Sequence, residues 1–517
     1  MTAFAVNSCL TQEPLYEISD IEADQALSIM QGARQGGADL ARLSLRQRRA
    51  LIGHLQARVL EQRDWILDRI IEETGKSRTD ALVSEVMGVL DYLHWLQTHG
   101  WKALREERAL TPIALMGKAS RIRHEPLGAV LVIAPWNYPF HIAMTTIAGA
   151  LLAGNGVVFK PSEVTPLRGL MEALFEPILA LRNALRVVYG GGETGQALID
   201  QRPDKICFTG STATGQRILR QAAEYLIPVE LELGGKDAAI VFDDVDLERT
   251  VAGVLWGGMT NAGQSCTSVE RVYVQRGIYE QFRDRLVQAA RELVVNPGDG
   301  GDADYGTITA GFQYDLIDDQ VTQARSAGAK ILCGGQGLDA EGLLYAPTAV
   351  EGLPAEAPLG RDETFGPVLP LFPFDTEAEA IALANDSEMG LSASVWSRDL
   401  KRARRVADAL EVGAVSINNV MVTEGNPHLP FGGVGLSGYG RVKGIEGLRT
   451  MTRSKAIMVD KQSGKREANW YPYTRTKYRL FDRLIAALFG TGWRRWLAFA
   501  KVGLKLEKVA QLPRGRG

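Results

Sequence analysis

Apolar residues recur at helical spacing through Leu51, Leu55, Val59, Ile66 and Ile70, with charges between them, so residues 20–105 are expected to be helical. Residues 112–126 (PIALMGKASRIRHEP) alternate loosely around Gly117, as a hairpin does. A repeating pattern then begins. The apolar strand 129–134 (AVLVIA) runs into PWNYP, and a helical stretch follows to Leu152. Next come the strand GVVFK, the turn KPSE, a helix over about 167–181, the strand RVVYGGG, another helix and the strand KICFTGS. A second series over 233–420 contains a helix before Cys266, the strand RVYVQ and a helix over 279–293. Strands alternating with helices imply parallel sheets covered on both faces, with ligands beyond the C-terminal strand ends. PWNYP, KPSE, YGGG and FTGS all fall at such ends.

A chain of 517 residues is too long for one simple core and is expected to form two or three domains. With 45% hydrophobic and 23% charged residues it reads as a globular protein, and a net charge of −3 gives no field that favours nucleic acid. The four cysteines form no CxxC and the six histidines no HExxH, so neither a zinc site nor a disulfide framework is expected. The first residues lack a basic segment followed by an apolar one, and no apolar run is long enough to span a bilayer. The expected compartment is therefore a reducing cytoplasm.

Chemistry concentrates in a few turns. Cys266 ends NAGQSC, a polar run read as a flexible loop that leaves the sulfur reachable. Cys207, inside KICF, reads instead as a small buried hydrophobe. Glu232 lies in LELGGK, 34 positions before Cys266, between leucines and glycines suited to a general base. Both motifs are glycine-rich turns, expected to present their side chains rather than bury them. The amide of Asn137, in PWNYP, is suited to donate to an oxyanion. FTGSTATG is a strand-to-helix turn with Gly210 and Ser211 at the helix start, where a pyrophosphate is favoured. It is not GxGxxG, since Thr212 stands at the second glycine. Lys160 and Glu163 in KPSE are suited to ribose hydroxyls.

In order and spacing these motifs resemble the NAD(P)-dependent aldehyde dehydrogenase superfamily over residues 20–460, and PFGGVGLSGYGR (430–441) looks like its class 3 or fatty-aldehyde branch. The resemblance implies Cys266 as nucleophile, Glu232 as water base and Asn137 as oxyanion donor. Lys160 and Glu163 would hold the ribose and Ser211 the pyrophosphate, with Gly210 in the same turn. Glu363 and Phe365 of ETFGP would hold the nicotinamide half, and Trp136 and Leu233 would line the cleft. Glu163 favours NAD over NADP, though NADP stays open. The best-known members carry a lysine in the helix after WN and a glutamate after GR. Thr146 and Val442 stand there in this chain, which puts a proton relay through those positions in doubt.

The fold implied is α/β: a Rossmann-like parallel-sheet cofactor domain over 1–232 and an α/β catalytic domain over 233–421. Residues 422–467 would return to the cofactor domain and complete an oligomerisation arm with the hairpin at 112–126. A homo-oligomer follows, with a dimer favoured. The reaction implied is oxidation of an aldehyde, medium or long aliphatic or aromatic, to the acid through a Cys266 thioester. Transfer of the acyl group to coenzyme A is the alternative in chemistry, and Glu232 argues against it. An idle scaffold on the same fold is the alternative without chemistry, and the intact trio argues against that.

Residues 468–517 form a separate piece. From Lys461 to the end, 14 Lys and Arg face 3 acidic residues. Leu480, Phe481, Leu484, Ile485, Leu488 and Phe489 form one helical stripe. Trp493, Trp496, Leu497, Ala500 and Leu504 continue an apolar face opposite Arg494, Arg495, Lys501, Lys505 and Lys508. This basic amphipathic pattern over 478–508 predicts contact with an anionic membrane surface, peripheral at its inner face, or packing on a partner subunit, and the resemblance adds gating of the substrate funnel as a third role.

Overall fold

The computed structural model describes residues 2–296, 301–339, 343–354, 356–461 and 464–513. Its contacts divide the chain into two units, Met1–Arg105 with His124–Ser454, and Glu106–Arg123 with Lys455–Gly517.

The first unit holds two large sheets. One runs, edge to edge, Gly438–Tyr439, Val229–Glu232, Lys205–Thr209, Ala129–Ile133, Gly156–Lys160 and Leu185–Val187. All its pairings are parallel except that of the short strand Gly438–Tyr439, which lies antiparallel to Leu231 and Glu232. Every residue of Ala129–Ile133 and Gly156–Lys160 is buried, as uninterrupted apolar strands covered on both faces must be. The helix Ala23–Arg42 lies so close to the second of these strands that a Cβ on Gly37 would meet the Gly156 nitrogen at 2.2 Å. The other sheet runs Lys330–Cys333, Thr348–Glu351, Val368–Phe374, Val269–Gln275, Asp237–Val241, Ser392–Trp396 and Ala414–Ile417. Only its first pairing is antiparallel.

Both sheets follow the expected strand–helix alternation, with local differences. The helix expected over 167–181 is two short ones, Leu170–Phe175 and Leu179–Ala184. Pro177 cannot donate to a helical ladder and separates them. RVVYGGG is strand only at Leu185–Val187, and the next helix starts at Gly192. The helix expected over 279–293 ends at Arg291. A hairpin of Ala3–Asn7 with Pro14–Ser19 precedes the helical region and was not legible in the sequence pattern.

A three-stranded sheet has Lys118–Pro126 at its centre, between Thr452–Asp460 and Glu107–Ala109. Within the second unit, Lys118 bonds Asp460 (3.0 Å) and Glu467 (2.6 Å). The tail forms two helices, Arg475–Phe489 and Arg494–Ala510, packed on each other. This pairing divides the expected stripe. Leu480, Ala487, Leu506 and Ala510 are buried, while Ile485, Phe489, Trp493, Trp496, Leu497 and Leu504 stay exposed. Residues 514–517 of the expected tail lie outside the described residues. Among the described residues no helix is long and apolar enough to cross a membrane.

Candidate active site

Asn137 follows the buried strand Ala129–Ile133 and precedes the helix His141–Ala153. It is 3% exposed. Its Nδ2 donates to the Gln264 carbonyl at 3.0 Å. A side-chain amide has two N–H groups, so one is left for another acceptor. Its own carbonyl accepts from Lys76 Nζ (2.5 Å) and Asn261 Nδ2 (3.2 Å).

Cys266 follows the helix Leu247–Met259 and a turn in which Asn261 and Ala262 take left-handed conformations, φ 53° and 55°. At Gly263, φ 73°, a Cβ would meet the Gly366 carbonyl oxygen at 2.1 Å, so only glycine fits. The turn is not the flexible loop the polar run suggested. Gln264 Nε2 donates to Asn261 O (3.0 Å) and Thr307 O (3.1 Å), and its Oε1 accepts from Thr309 N (2.8 Å). The side-chain amides of Asn261 and Gln264 are thus spent on pinning the backbone, Ser265 Oγ bonds the Thr267 hydroxyl, and Cys266 is left part-exposed. Burial pushes its thiol well above the ordinary range, and the carboxylates of Glu424, Asp237, Glu363 and Glu232 push it the same way. The sulfur therefore needs a base rather than an intrinsically low pKa.

Glu232 ends the strand Val229–Glu232 and is 5% exposed, buried rather than presented. Neither of its carboxylate oxygens has a hydrogen-bond partner among the described residues. Burial raises its pKa well above the carboxylate range, Glu230 adds to this, and Arg441 and Lys443 oppose it. Glu230, two residues earlier, is neutralised by Lys205 in a buried ion pair. The two carboxylates therefore differ: Glu230 is paired, and Glu232 has no hydrogen-bond partner among the described residues.

A cleft of about 630 Å³ opens at the C-terminal ends of the first sheet. Trp136, Lys160, Glu163, Gly210 and Ser211 line it. Lys160 Nζ lies 3.4 Å from Glu163 Oε2, and burial lowers its pKa against the pull of Glu163 and Asp20. Ser211 caps the helix Thr212–Glu224. An ammonium, a carboxylate, a helix N-terminus and the aromatic walls of Trp136 and Phe312 make a donor set that fits a dinucleotide. Arg217 and Arg220 also line the cleft and were not singled out from sequence.

The remaining expected residues sit differently. Leu233 is buried against Gly215 and is not among the residues that line the cleft. Phe365 packs edge-on against Trp136, ring centroids 5.3 Å apart. Glu363 Oε1 accepts from Gly235 N at 3.1 Å. The ETFGP turn is held by a clamp the sequence did not reveal. Glu270 accepts from Thr364 N (2.7 Å) and Phe365 N (2.8 Å) and pairs with Lys236 at 2.8 Å. Lys236 follows the Gly-Gly of the Glu232 motif, and Glu270 interrupts the apolar strand VERVYVQ. A charge inside an apolar run was the one available signal.

Comparison with known proteins agrees with this geometry. The profile of the Aldehyde dehydrogenase family matches residues 2–457. The chain is 39% identical over 450 residues to 4,4'-diapolycopene aldehyde oxidase of Methylomonas sp, spanning 87% of this chain and 84% of that one. It superposes on a Mycobacterium tuberculosis aldehyde dehydrogenase solved with NAD+ at TM-score 0.82 and 32% identity, covering 88% of this chain and 94% of the other. It also superposes on lactaldehyde dehydrogenase from Escherichia coli at 0.83 and 31%, covering 89% and 96%. With the match running through every motif of the site, the chain belongs to the aldehyde dehydrogenase family.

Proposed function

We propose that this enzyme oxidises an apolar aldehyde to the carboxylic acid, with Cys266 as nucleophile and Glu232 as the base that activates the hydrolytic water. The observation that carries this reading is the unpartnered, buried carboxylate of Glu232 in electrostatic reach of a part-exposed thiol. Glu232 takes the Cys266 thiol proton and releases it to solvent, the sulfur adds to the carbonyl carbon, and the free N–H of Asn137 and the Cys266 backbone N–H receive the negative charge on oxygen. NAD, held by Lys160, Glu163, Gly210 and Ser211, supplies when bound the two-electron oxidation that leaves an acyl group on Cys266. Trp136, Phe365 and Glu363 orient its nicotinamide end. Glu232 then takes a proton from water, whose oxygen adds to the thioester, and the carbon–sulfur bond breaks.

An apolar substrate is supported by the diapolycopene aldehyde for which one relative is named, and by the tail. The exposed face of Phe489, Trp493, Trp496 and Leu497 beside Arg494 and Lys501 suits an anionic membrane surface, where tryptophan sits at the interface. The enzyme is proposed to work as a homodimer at such a surface.

The test is NADH formation over aldehydes of rising chain length, with and without anionic vesicles. The full chain is compared with its W493S/W496S variant. Preference for long chains, with vesicle binding lost in the variant, is expected. Equal behaviour with short aldehydes preferred would leave a dehydrogenase without a membrane tail. Turnover that requires coenzyme A, or persists in Cys266→Ala, would overturn the chemistry.

A further inference from the structure

Thr267, the residue after Cys266, donates from Oγ1 to Glu424 Oε2 at 2.7 Å. A carboxylate 157 positions away in the chain is thereby set beside the nucleophile. The segment that carries it is anchored. Glu424 lies on the short helix Val422–Gly425. Before that helix, Asn418 accepts from the Ser397 N–H and donates to the Ser397 carbonyl, each at 2.9 Å. Val420 is buried against the helix Leu247–Met259, where a Cβ on Gly257 would meet it at 2.6 Å. Lys443 Nζ donates to the Glu424 carbonyl at 2.7 Å. Lys443 thus bonds the backbone of Glu424, and among the described residues no basic side chain forms an ion pair with its carboxylate.

Of the charges that act on the Cys266 thiol, that of Glu424 weighs most, and it acts on Glu232 and Tyr138 as well, so the carboxylate faces the reacting centre. Its other side is open. Val422 and Gly425, the ends of its helix, line a depression of about 650 Å³. Trp95, His99 and His428 form an aromatic wall there, with the His99 and His428 rings 4.9 Å apart and Trp95 5.9 Å from His428. Such a wall suits an apolar chain. Asp91 is the one carboxylate of the lining, and among the described residues the lining holds no lysine or arginine.

We propose that Glu424 selects aldehydes by charge: an uncharged aldehyde passes from this depression beside Glu424 to Cys266, and one that carries a carboxylate a few bonds from its carbonyl is rejected. The inference rests on Cys266 as the nucleophile and narrows the proposed substrate class. Discrimination is a difference between two substrates, and a like charge set against one of them creates it. A neutral chain meets Glu424 at little cost, because the Thr267 hydroxyl keeps one of its oxygens bonded. A second carboxylate meets repulsion that grows as water is displaced from the site, and the described lining offers no ammonium or guanidinium to offset it.

The experiment compares NADH formation from butanal and from succinate semialdehyde, which differ by a terminal methyl or carboxylate, at about pH 8, where histidine ordinarily carries no charge. The unmodified enzyme is expected to favour butanal in kcat/KM. In Glu424→Gln that preference is expected to fall at least about tenfold, as repulsion of the anion is lost. Glu424→Asp keeps the charge and should keep most of the preference. Thr267→Val removes the hydrogen bond and leaves the charge, so any loss should fall on both aldehydes alike. Should Glu424→Gln fail to fold, the similarly sized Glu424→Met carries the same reading. A preference that changes less than about twofold in the uncharged variant, or one that falls as far in Thr267→Val, would overturn the proposal, because Glu424 would then do no more than hold Thr267. An unmodified enzyme that favours succinate semialdehyde would overturn it as well. Failure to oxidise butanal and hexanal alike would instead overturn the proposed function, and this inference with it.

Discussion

Lys76 and Glu85 form a 3.3 Å ion pair whose side chains are 1% and 0% exposed. Lys76 Nζ also reaches the Asn137 carbonyl and lies 3.8 Å from the centre of the Tyr138 ring. Glu85 Oε2 accepts from Phe140 N (3.1 Å) and His141 N (2.7 Å). One buried pair thus grips both ends of the turn that carries Asn137. Removing one partner leaves an uncompensated charge. Lys76→Met is expected to cost about 3–5 kcal/mol in urea unfolding. A cost under about 1 kcal/mol would mean that the pair does not hold the turn.

Asn137→Ala removes the amide N–H that Gln264 leaves free. The rate of acylation is expected to fall about 10²–10³-fold, as for loss of one oxyanion donor, with little change in folding stability. Pre-steady-state acylation measures the first and thermal unfolding the second. A rate within about threefold of the unmodified enzyme would remove Asn137 from the oxyanion role.

Burial, and after it the carboxylates of Glu424, Asp237, Glu363 and Glu232, push the Cys266 thiol up. Since the thiolate is the reactive form, alkylation by iodoacetamide in the absence of cofactor should rise about tenfold per pH unit up to pH 9 without a plateau. Cys9 and Cys207 are buried and pushed up to about 12, so they contribute little. Cys266→Ser supplies the background. A plateau below pH 8 would show a thiolate stabilised in the resting enzyme.

His141 is pushed down to about 3, chiefly by burial and then by Lys443. Its Nδ1 lies 2.7 Å from the Ser84 carbonyl. Between pH 6.5 and 3 the unfolded chain binds a proton there that the native state does not. Stability therefore falls as pH falls through this window, by about 1.4 kcal/mol per pH unit for this one group. His141→Gln should flatten that slope in urea titrations from pH 7 to pH 5. An unchanged slope would assign the acid lability elsewhere.

Glu163 lines the cleft wall beside Lys160, and Arg217 and Arg220 line the same cleft. A carboxylate there disfavours a ribose 2′-phosphate. Glu163→Gln should raise kcat/KM for NADP relative to NAD by about tenfold, close to 1.4 kcal/mol. No change in the ratio would mean that the arginines, not Glu163, set cofactor choice.

Periodicity and turn residues made the strand–helix alternation legible in the chain alone. Strands such as Ala129–Ile133 are apolar throughout because both faces are covered, and the turns after them carry the glycines and polar residues that a site needs. Cys266, Glu232 and Asn137 were identifiable because each lies in a distinctive short motif. Local sequence also held what was overlooked at Pro177, which splits a helix for a reason visible in the residue itself.

What only the tertiary structure decided is which charges lose their water. Lys76, Glu85, Lys236 and Lys443 carry no local sign of burial in the chain, and Glu270 shows only that it interrupts an apolar strand. Their partners lie from 9 to 34 positions away in the two ion pairs, and 19 for Lys443 and Glu424. Desolvation depends on everything packed around a group, so no local pattern reports it. The same limit applied to Glu232 and the Cys266 turn. Their identities were written in the motifs, but burial, missing hydrogen-bond partners and raised pKa values came into being only when distant strands and loops closed around them.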